Sequence, residues 1–162
     1  MIDGKFEKVK YEQFRKDCAN SHYNLSSTCV DIIMPKRATT MSAGYDIYSP
    51  AGVTIKAGEG ITIPTGLKVK LPDGYFLMLV PRSSLGMNYG ISLANTVGII
   101  DADYYNNHSN EGHIMVRLVN NGSKTCVIPR DKAICQAIIL QYETIRSDRT
   151  NAVRTGGIGS TD

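Results

Sequence analysis

The chain has 162 residues, a size that fits one ordinary domain. Hydrophobic residues make up 42% and charged residues 20%, which excludes an intrinsically disordered chain. The net charge of +3 is too small by itself to argue for nucleic-acid binding. The longest near-apolar run, Tyr75 to Val80, is far below the ~20 residues that a membrane helix needs. Because the charged N-terminus also has no apolar signal core, we expect a cytoplasmic protein with neither nucleic-acid nor membrane partners.

The N-terminal segment carries a helical pattern. Phe6, Val9, Phe14 and Cys18 recur every three to five residues, with charged and polar residues between them. This spacing predicts a short helix in an N-terminal extension, which we place at residues 1–35 and expect to pack on the domain that follows.

Beyond the extension the hydrophobic period changes to two, as in strands with one buried face. The clearest case is Leu67 to Leu71, where leucine and valine alternate with lysine. Turn sequences such as Pro72-Asp73-Gly74 separate the runs. The predicted strands are 53–55, 61–63, 67–71, 75–80, 114–119, 125–128 and 133–142. Many short strands predict an all-β antiparallel sandwich or barrel, which we place at residues 36–145.

The last segment, residues 146–162, contains three arginines and three glycines but almost nothing able to enter a core. By itself this composition indicates a flexible tail. Its ending, GGIGST, also offers backbone N–H groups and hydroxyls to an anion. Both interpretations stay open on composition alone.

Cysteines and histidines show no metal-binding pattern. The four cysteines contain no CxxC pair, and we interpret them as small buried hydrophobic residues. His108 and His113 flank Glu111 in the sequence HSNEGH, which we interpret as a polar loop rather than a zinc site.

Three segments place polar or charged side chains where a strand protein would not need them. They are AGYDIYS at 43–49, PRSSLG at 81–86 and NTVGIIDADY at 95–104. Arg82, Ser83 and Ser84 offer a cation and two hydroxyls on a turn, suited to phosphate oxygens, or form an ordinary capped turn. Asp101 follows an apolar strand, where desolvation can make a carboxylate more basic, or it initiates a turn.

The first of these segments also holds a carboxylate beside apolar residues. Asp46 is compatible with holding a metal-bound water and with capping a turn. Neither alternative is excluded by the segment alone.

Together with the C-terminus, these segments resemble the trimeric dUTPase family over residues 36–162. The resemblance rests on five motifs in the family's order. They are AGYDIYS at 43–49, PRSSLG at 81–86, NTVGIIDADY at 95–104, RDKAICQ at 130–136 and RTGGIGST at 154–161.

The resemblance implies a jelly-roll subunit assembled as a homotrimer, with three active sites between subunits. Residues 146–162 would form a flexible arm that closes a neighbouring site. The implied reaction is hydrolysis of dUTP to dUMP and pyrophosphate with Mg²⁺. This reaction keeps uracil out of DNA and supplies dUMP for dTMP synthesis.

The resemblance also assigns roles by motif position. Asp101 would orient and deprotonate the attacking water, Asn95 would bond uracil, and Tyr104 would pack beneath the deoxyribose. Asp46 would support Mg²⁺ through water. The implied substrate-binding set is completed by Arg82, Ser83, Ser84, Gly98, Ile99, Ile100 and Gln136, and on the arm by Arg154, Ile158, Gly159, Ser160 and Thr161.

The chain departs from the family pattern at several places, which indicates a divergent bacterial or phage-like branch. Ile158 stands where the last motif usually has an aromatic residue, so either uracil is under-covered or Tyr105 or Tyr89 covers it from elsewhere. The other differences are Ser84 and Thr96 in place of glycine, Tyr105-Asn106 in place of Arg-Gly, and an insertion at residues 107–111.

Two alternatives come from other classes of protein. A dCTP deaminase shares the fold and an R-S-S-L sequence, but it places a catalytic glutamate in the strand after the third motif. Arg117 occupies that place here, and a guanidinium cannot shuttle the proton. A non-catalytic dUTP-binding regulatory module is the second alternative, and the presence of both Asp101 and the arm argues against it.

Overall fold

The computed structural model describes residues 2–25 and 30–157. Within these residues the chain forms short antiparallel strands and two short helices. The strands are β1 Lys5–Lys8, β2 Lys36–Arg37, β3 Tyr45–Tyr48, β4 Val53–Ile55, β5 Gly60–Pro64, β6 Leu67–Lys70, β7 Tyr75–Pro81, β8 Ile91–Leu93, β9 Gly98–Asp101, β10 Met115–Asn120, β11 Cys126–Ile128 and β12 Ala133–Gln141. The helices are α1 Tyr11–Asn20 and α2 Ser83–Tyr89, and a 3₁₀ turn spans Ala102–Tyr104. In the described ranges, neither helix is long and apolar enough to cross a membrane.

Each of the first four motifs contributes at least one residue to the largest sheet. Its strand order is β2-β3-β12-β7-β9, and every pair in it is antiparallel. A three-stranded sheet, β5-β10-β8, and the pairs β11-β4 and β1-β6 complete the fold. Fully buried side chains such as Ile47, Leu77, Ile63 and Leu118 come from both larger sheets and form the core. This architecture confirms the predicted all-β, jelly-roll-like fold.

The N-terminal helix begins later than the hydrophobic pattern predicts. Phe6 lies in β1 and pairs with Val69 of β6, and only Tyr11–Asn20 is helical. Phe14 and Cys18 are buried on the inner face of α1, as the pattern requires. The pairing of β1 with β6 joins segments some 60 residues apart, and the local period cannot reveal such a contact.

The segment after β7 differs from the predicted turn. Ser83 and Ser84 form the first turn of helix α2, and Arg82 precedes it in extended conformation. The helix ends at Gly90, which has φ of 71°, a left-handed conformation that glycine adopts at little cost. The prediction of a turn at Arg82–Ser84 was therefore wrong, although the hydroxyls of both serines remain on the surface.

The cysteines behave as predicted where the structure describes them. Cys18, Cys126 and Cys135 are buried, and Cys29 lies outside the described residues. Within the described ranges no group of three or more potential ligands could hold a metal ion. His108 is exposed, as in a polar loop, whereas His113 is fully buried.

Candidate active site

A cavity of about 310 Å³ lies beside β9. Among the residues that the structure describes, β9 pairs only with β7, so it is an edge strand of its sheet. Seven of the site residues predicted from the sequence line the cavity: Asn95, Gly98, Ile99, Ile100, Asp101, Tyr104 and Arg154. The third motif and the beginning of the fifth motif therefore meet at one place in a single chain.

Asp101 ends β9 at the rim of this cavity. Its Oδ2 accepts a hydrogen bond of 2.7 Å from Nη2 of Arg154, whose Nε donates to Asp103 Oδ1 at 2.8 Å. The Asp101 side chain is 51% exposed in the single chain. Asp101 therefore does not lie at a buried strand end as expected, because β9 ends at the edge of the sheet.

Tyr104 lines the cavity, and residues of the loop that follows it in the chain fix its hydroxyl by hydrogen bonds. Its hydroxyl donates to the backbone carbonyl of His113 at 3.1 Å and accepts from Asn110 Nδ2 at 2.8 Å. Burial raises the pKa of the Tyr104 hydroxyl above its ordinary value. The guanidinium carbon of Arg154 lies 5.8 Å from the ring centroid, within the range of a cation–π contact.

A second cluster joins the first, second and fourth motifs. Asp46 of β3 faces Gln136 of β12, and the Gln136 amide donates to Asp46 Oδ1 at 3.4 Å. The Arg82 Nε lies 3.6 Å from the same carboxylate oxygen. A Cβ at Gly44 would lie 3.2 Å from the Gln136 side chain, so the glycine of the first motif leaves room for that glutamine.

The two clusters lie far apart in one chain. Asp101 is opposite Phe76 near the start of β7, whereas Arg82 follows Pro81 at the other end of the same strand. The two positions are six residue steps apart along the strand, which is about 20 Å at ~3.3 Å per residue. Gln136 is opposite Val80, so the Asp46 cluster shares the far end with Arg82. Apart from Arg154, the predicted phosphate ligands that the structure describes therefore lie far from the predicted base within one chain.

Arg117 of β10 also lines the cavity, and its Nη1 donates to Thr62 Oγ1 at 3.1 Å. Strand β10 holds no carboxylate residue. The glutamate that the deaminase alternative requires is therefore missing from this strand.

The residues proposed from the sequence to cover the base do not line the cavity of the single chain or are not described by the structure. Ile158, Gly159, Ser160 and Thr161 lie outside the described residues. Neither Tyr105 nor Tyr89 lines the cavity: the Tyr105 hydroxyl donates to the carboxylate of Glu7, and Tyr89 ends α2. The Tyr104 supports Asn110 and His113 were missed, because only the fold brings the inserted loop behind the tyrosine.

The fold and the site together indicate an all-β protein with a cavity beside a carboxylate and a separate cluster of donors suited to phosphate. The dUTPase family model matches residues 30–161, and the chain belongs to the dUTPase family, whose members are hydrolases. The family match confirms the resemblance carried by the five motifs.

Similar proteins agree with this assignment. The deoxyuridine 5′-triphosphate nucleotidohydrolase of Lactococcus lactis is 40% identical over 132 residues, covering 80% of this chain and 88% of its own. The Streptococcus mutans dUTPase structure superposes with a TM-score of 0.69 at 32% identity, covering 88% of this chain and 98% of its own. A dUTPase from phage phi11 of Staphylococcus aureus shares the fold, with a TM-score of 0.65 at 18% identity over 94% of this chain and 99% of its own.

Proposed function

We propose that this chain hydrolyses dUTP to dUMP and pyrophosphate at a site completed by a second copy of the chain. The family and the names of the similar proteins support dUTP as substrate. The observation that carries the composite site is the separation of Asp101 from Arg82 by the length of β7. The phosphate chain of one nucleotide cannot bridge that distance, so the phosphate ligands for each Asp101 come from another copy.

Asp101 is the proposed general base. It takes a proton from the water that attacks the α-phosphorus, and pyrophosphate leaves on the far side. In the free chain Arg154 pairs with this carboxylate. When the arm moves to the phosphates of a neighbouring site, this pair opens and the Asp101 oxygen is free to accept a proton from water.

The phosphates are held by the second cluster, contributed by the neighbouring copy. Arg82 provides a charged donor, Ser83 and Ser84 provide exposed hydroxyls, and Gln136 provides an amide. On the arm, Arg154, Ser160 and Thr161 complete this set. Donors from several elements hold the triphosphate in line for displacement.

The donor set near Asp46 fits Mg²⁺ that is held mainly by the substrate. A triphosphate brings close to four negative charges, and Mg²⁺ keeps several waters and needs only one or two carboxylates. Asp46 is mostly buried and already oriented by Arg82 and Gln136, so it would hold the cation through a water. The ion would neutralise charge on the phosphates as water approaches.

Selectivity for the nucleoside resides in the cavity. Asn95 bonds uracil, whose donors and acceptors are reversed relative to cytosine, and Gly98, Ile99 and Ile100 line the same pocket. Tyr104 packs beneath the deoxyribose and leaves no room for a 2′-hydroxyl. Ile158 and Gly159 cover the base when the arm closes.

The proposed assembly is a homotrimer. A site made from two different surfaces of the same chain is a heterologous contact, and such contacts generate rings when the rotation closes. The family resemblance supports a ring of three copies. It also supplies the proposal that the arm, residues 146–162, closes a neighbouring site.

One experiment tests the reaction against both alternatives. The purified chain is incubated with each deoxynucleoside triphosphate and Mg²⁺, and both pyrophosphate and ammonia are measured. We expect pyrophosphate from dUTP alone. Ammonia from dCTP would support the deaminase, and binding of dUTP without either product would support the regulatory module.

A further inference from the structure

The N-terminal segment 2–25 lies outside the residues that the family model matches, yet it contacts the loop that carries Tyr104. This loop runs from residue 102 to residue 113 and includes the insertion at 107–111. The contacts are Tyr105 Oη to the Glu7 carboxylate, the Lys10 N–H to Glu111 Oε2 at 3.3 Å, and His113 Nδ1 to Asp17 Oδ2 at 2.6 Å. The extension thus holds the loop at both ends.

The contact between His113 and Asp17 is buried, and its hydrogen-bond donor can be assigned. His113 is fully buried, and its Nε2 accepts the backbone N–H of Gly66 at 2.8 Å. Because Nε2 must offer a lone pair, the proton of the neutral ring lies on Nδ1 and is donated to Asp17. Gln13, also on α1, donates to the same Asp17 oxygen at 2.9 Å and holds it in place.

The backbone of His113 connects this contact to the cavity. Its carbonyl accepts the Tyr104 hydroxyl, and its N–H donates to the Asn110 carbonyl at 3.0 Å. The preceding Gly112 has φ of 77°, and a Cβ there would lie 2.6 Å from the Tyr104 carbonyl oxygen. The ring of His113 and the hydroxyl of Tyr104 are therefore fixed through one tightly packed turn.

We propose that Asp17 is a positioning residue for the reaction and, through His113, holds Tyr104 in the place that distinguishes dUTP from UTP. The inference rests on the proposed function, in which Tyr104 packs beneath the deoxyribose. Helix α1 then contributes to the active site. Its Asp17 is the buried acceptor that fixes His113, and His113 in turn orients the Tyr104 ring that faces the sugar.

The test compares Asp17→Ala with the wild type, using dUTP and UTP as substrates. Removing the acceptor leaves the buried Nδ1–H of His113 unpaired and lets the turn shift. We expect KM for dUTP to rise about tenfold while kcat changes by less than about threefold, within the ~10²-fold that a 1 Å misplacement can cost. The ratio of kcat/KM for dUTP to that for UTP should fall by about tenfold, because the sugar site loosens.

Two further variants make the result specific. Glu12→Ala removes the same charge from an exposed position of α1 and should match the wild type in both measurements. Asp17→Asn keeps an acceptor for Nδ1–H but not its charge, so its KM should rise by about two- to threefold. This variant replaces Asp17→Ala if the alanine protein does not fold.

The outcomes separate positioning from folding. A variant that is merely less folded loses kcat with KM and the dUTP/UTP ratio unchanged, and that result would overturn the proposal. An equal shift in Glu12→Ala would overturn it as well. If the wild-type chain releases no pyrophosphate from dUTP, the proposed function itself is contradicted. This result is obtained before any variant is compared.

Discussion

Asp101 and Arg82 lie at opposite ends of strand β7, one beside Phe76 and the other directly after Pro81. Each belongs to a cluster that is well formed within the chain: Asp101 with Tyr104 at the cavity, and Arg82 with Asp46 and Gln136. Under the proposed function a single chain holds halves of two sites, and assembly brings complementary halves together. We therefore expect activity to depend on assembly.

The first prediction concerns the base. Asp101→Asn should leave dUTP binding roughly intact and lower turnover by ~10²–10⁴-fold, the range for losing a positioned general base. The measurement is steady-state hydrolysis together with the affinity for a non-hydrolysable dUTP analogue.

Asp103→Asn is the matched control, because Asp103 pairs with the same Arg154 without ending β9. We expect it to stay within a few-fold of the wild type. If Asp101→Asn kept more than about half its turnover, another residue would be the base.

The second prediction concerns the arm. Deleting residues 151–162 removes Arg154 from Asp101 and Asp103 together with the whole fifth motif. The proposed trimer should persist, because no deleted residue that the structure describes belongs to the hydrophobic core. Most activity should be lost. Sedimentation and turnover measured on the same preparation check both statements, and normal turnover of the truncated chain would contradict them.

The third prediction concerns Ile158. Within one chain neither Tyr105 nor Tyr89 lines the cavity, so this copy places no second aromatic residue at the base from those positions. Ile158→Phe should therefore tighten binding of a dUTP analogue by up to ~1 kcal/mol, about a factor of five. Titration of both proteins decides the matter, and weaker binding by the phenylalanine variant would mean that the place is already filled.

The fourth prediction concerns pH and stability. Burial lowers the pKa of His113 below its ordinary value of 6.5, although the facing carboxylates of Asp17 and Glu111 oppose this shift. The unfolded chain therefore binds more protons than the folded chain below about pH 6.5, and stability rises with pH in that range. The contribution is fully present above about 6.5 and is lost as the pH falls through the lowered pKa.

Urea unfolding at several pH values measures this effect, and an NMR titration assigns it. A titration midpoint for His113 at or above 6.5 would contradict the account.

The strands were the most predictable part of the fold. Leu67 and Val69 of β6 are buried while Lys70 is exposed, so the alternation in the sequence reports the burial directly. Strand β1 and helix α2 were not predicted. Phe6 is placed by pairing with Val69, and the helix of Ser83–Tyr89 contains Gly86 and no buried residue, so neither follows from a local hydrophobic period.

The site was predictable as motifs but not as geometry. The sequence indicated Asp46, Arg82 and Gln136 separately, and the register of β3, β12 and β7 brings them together. The half-exposed state of Asp101 was not predictable, because it follows from β9 lying at a sheet edge. The burial of His113 depends on α1, which lies nearly a hundred residues earlier in the chain.

Subunit mixing tests the composite site most directly. Asp101→Asn and Arg82→Ala chains, each inactive alone, are unfolded together in equal amounts, refolded and assayed for pyrophosphate release from dUTP. If each site takes Asp101 from one copy and Arg82 from another, about a quarter of the sites in randomly mixed trimers are intact, and activity returns to about that fraction. If both residues serve one site within the same chain, no mixed assembly contains an intact site, and a mixture as inactive as its components would contradict the account.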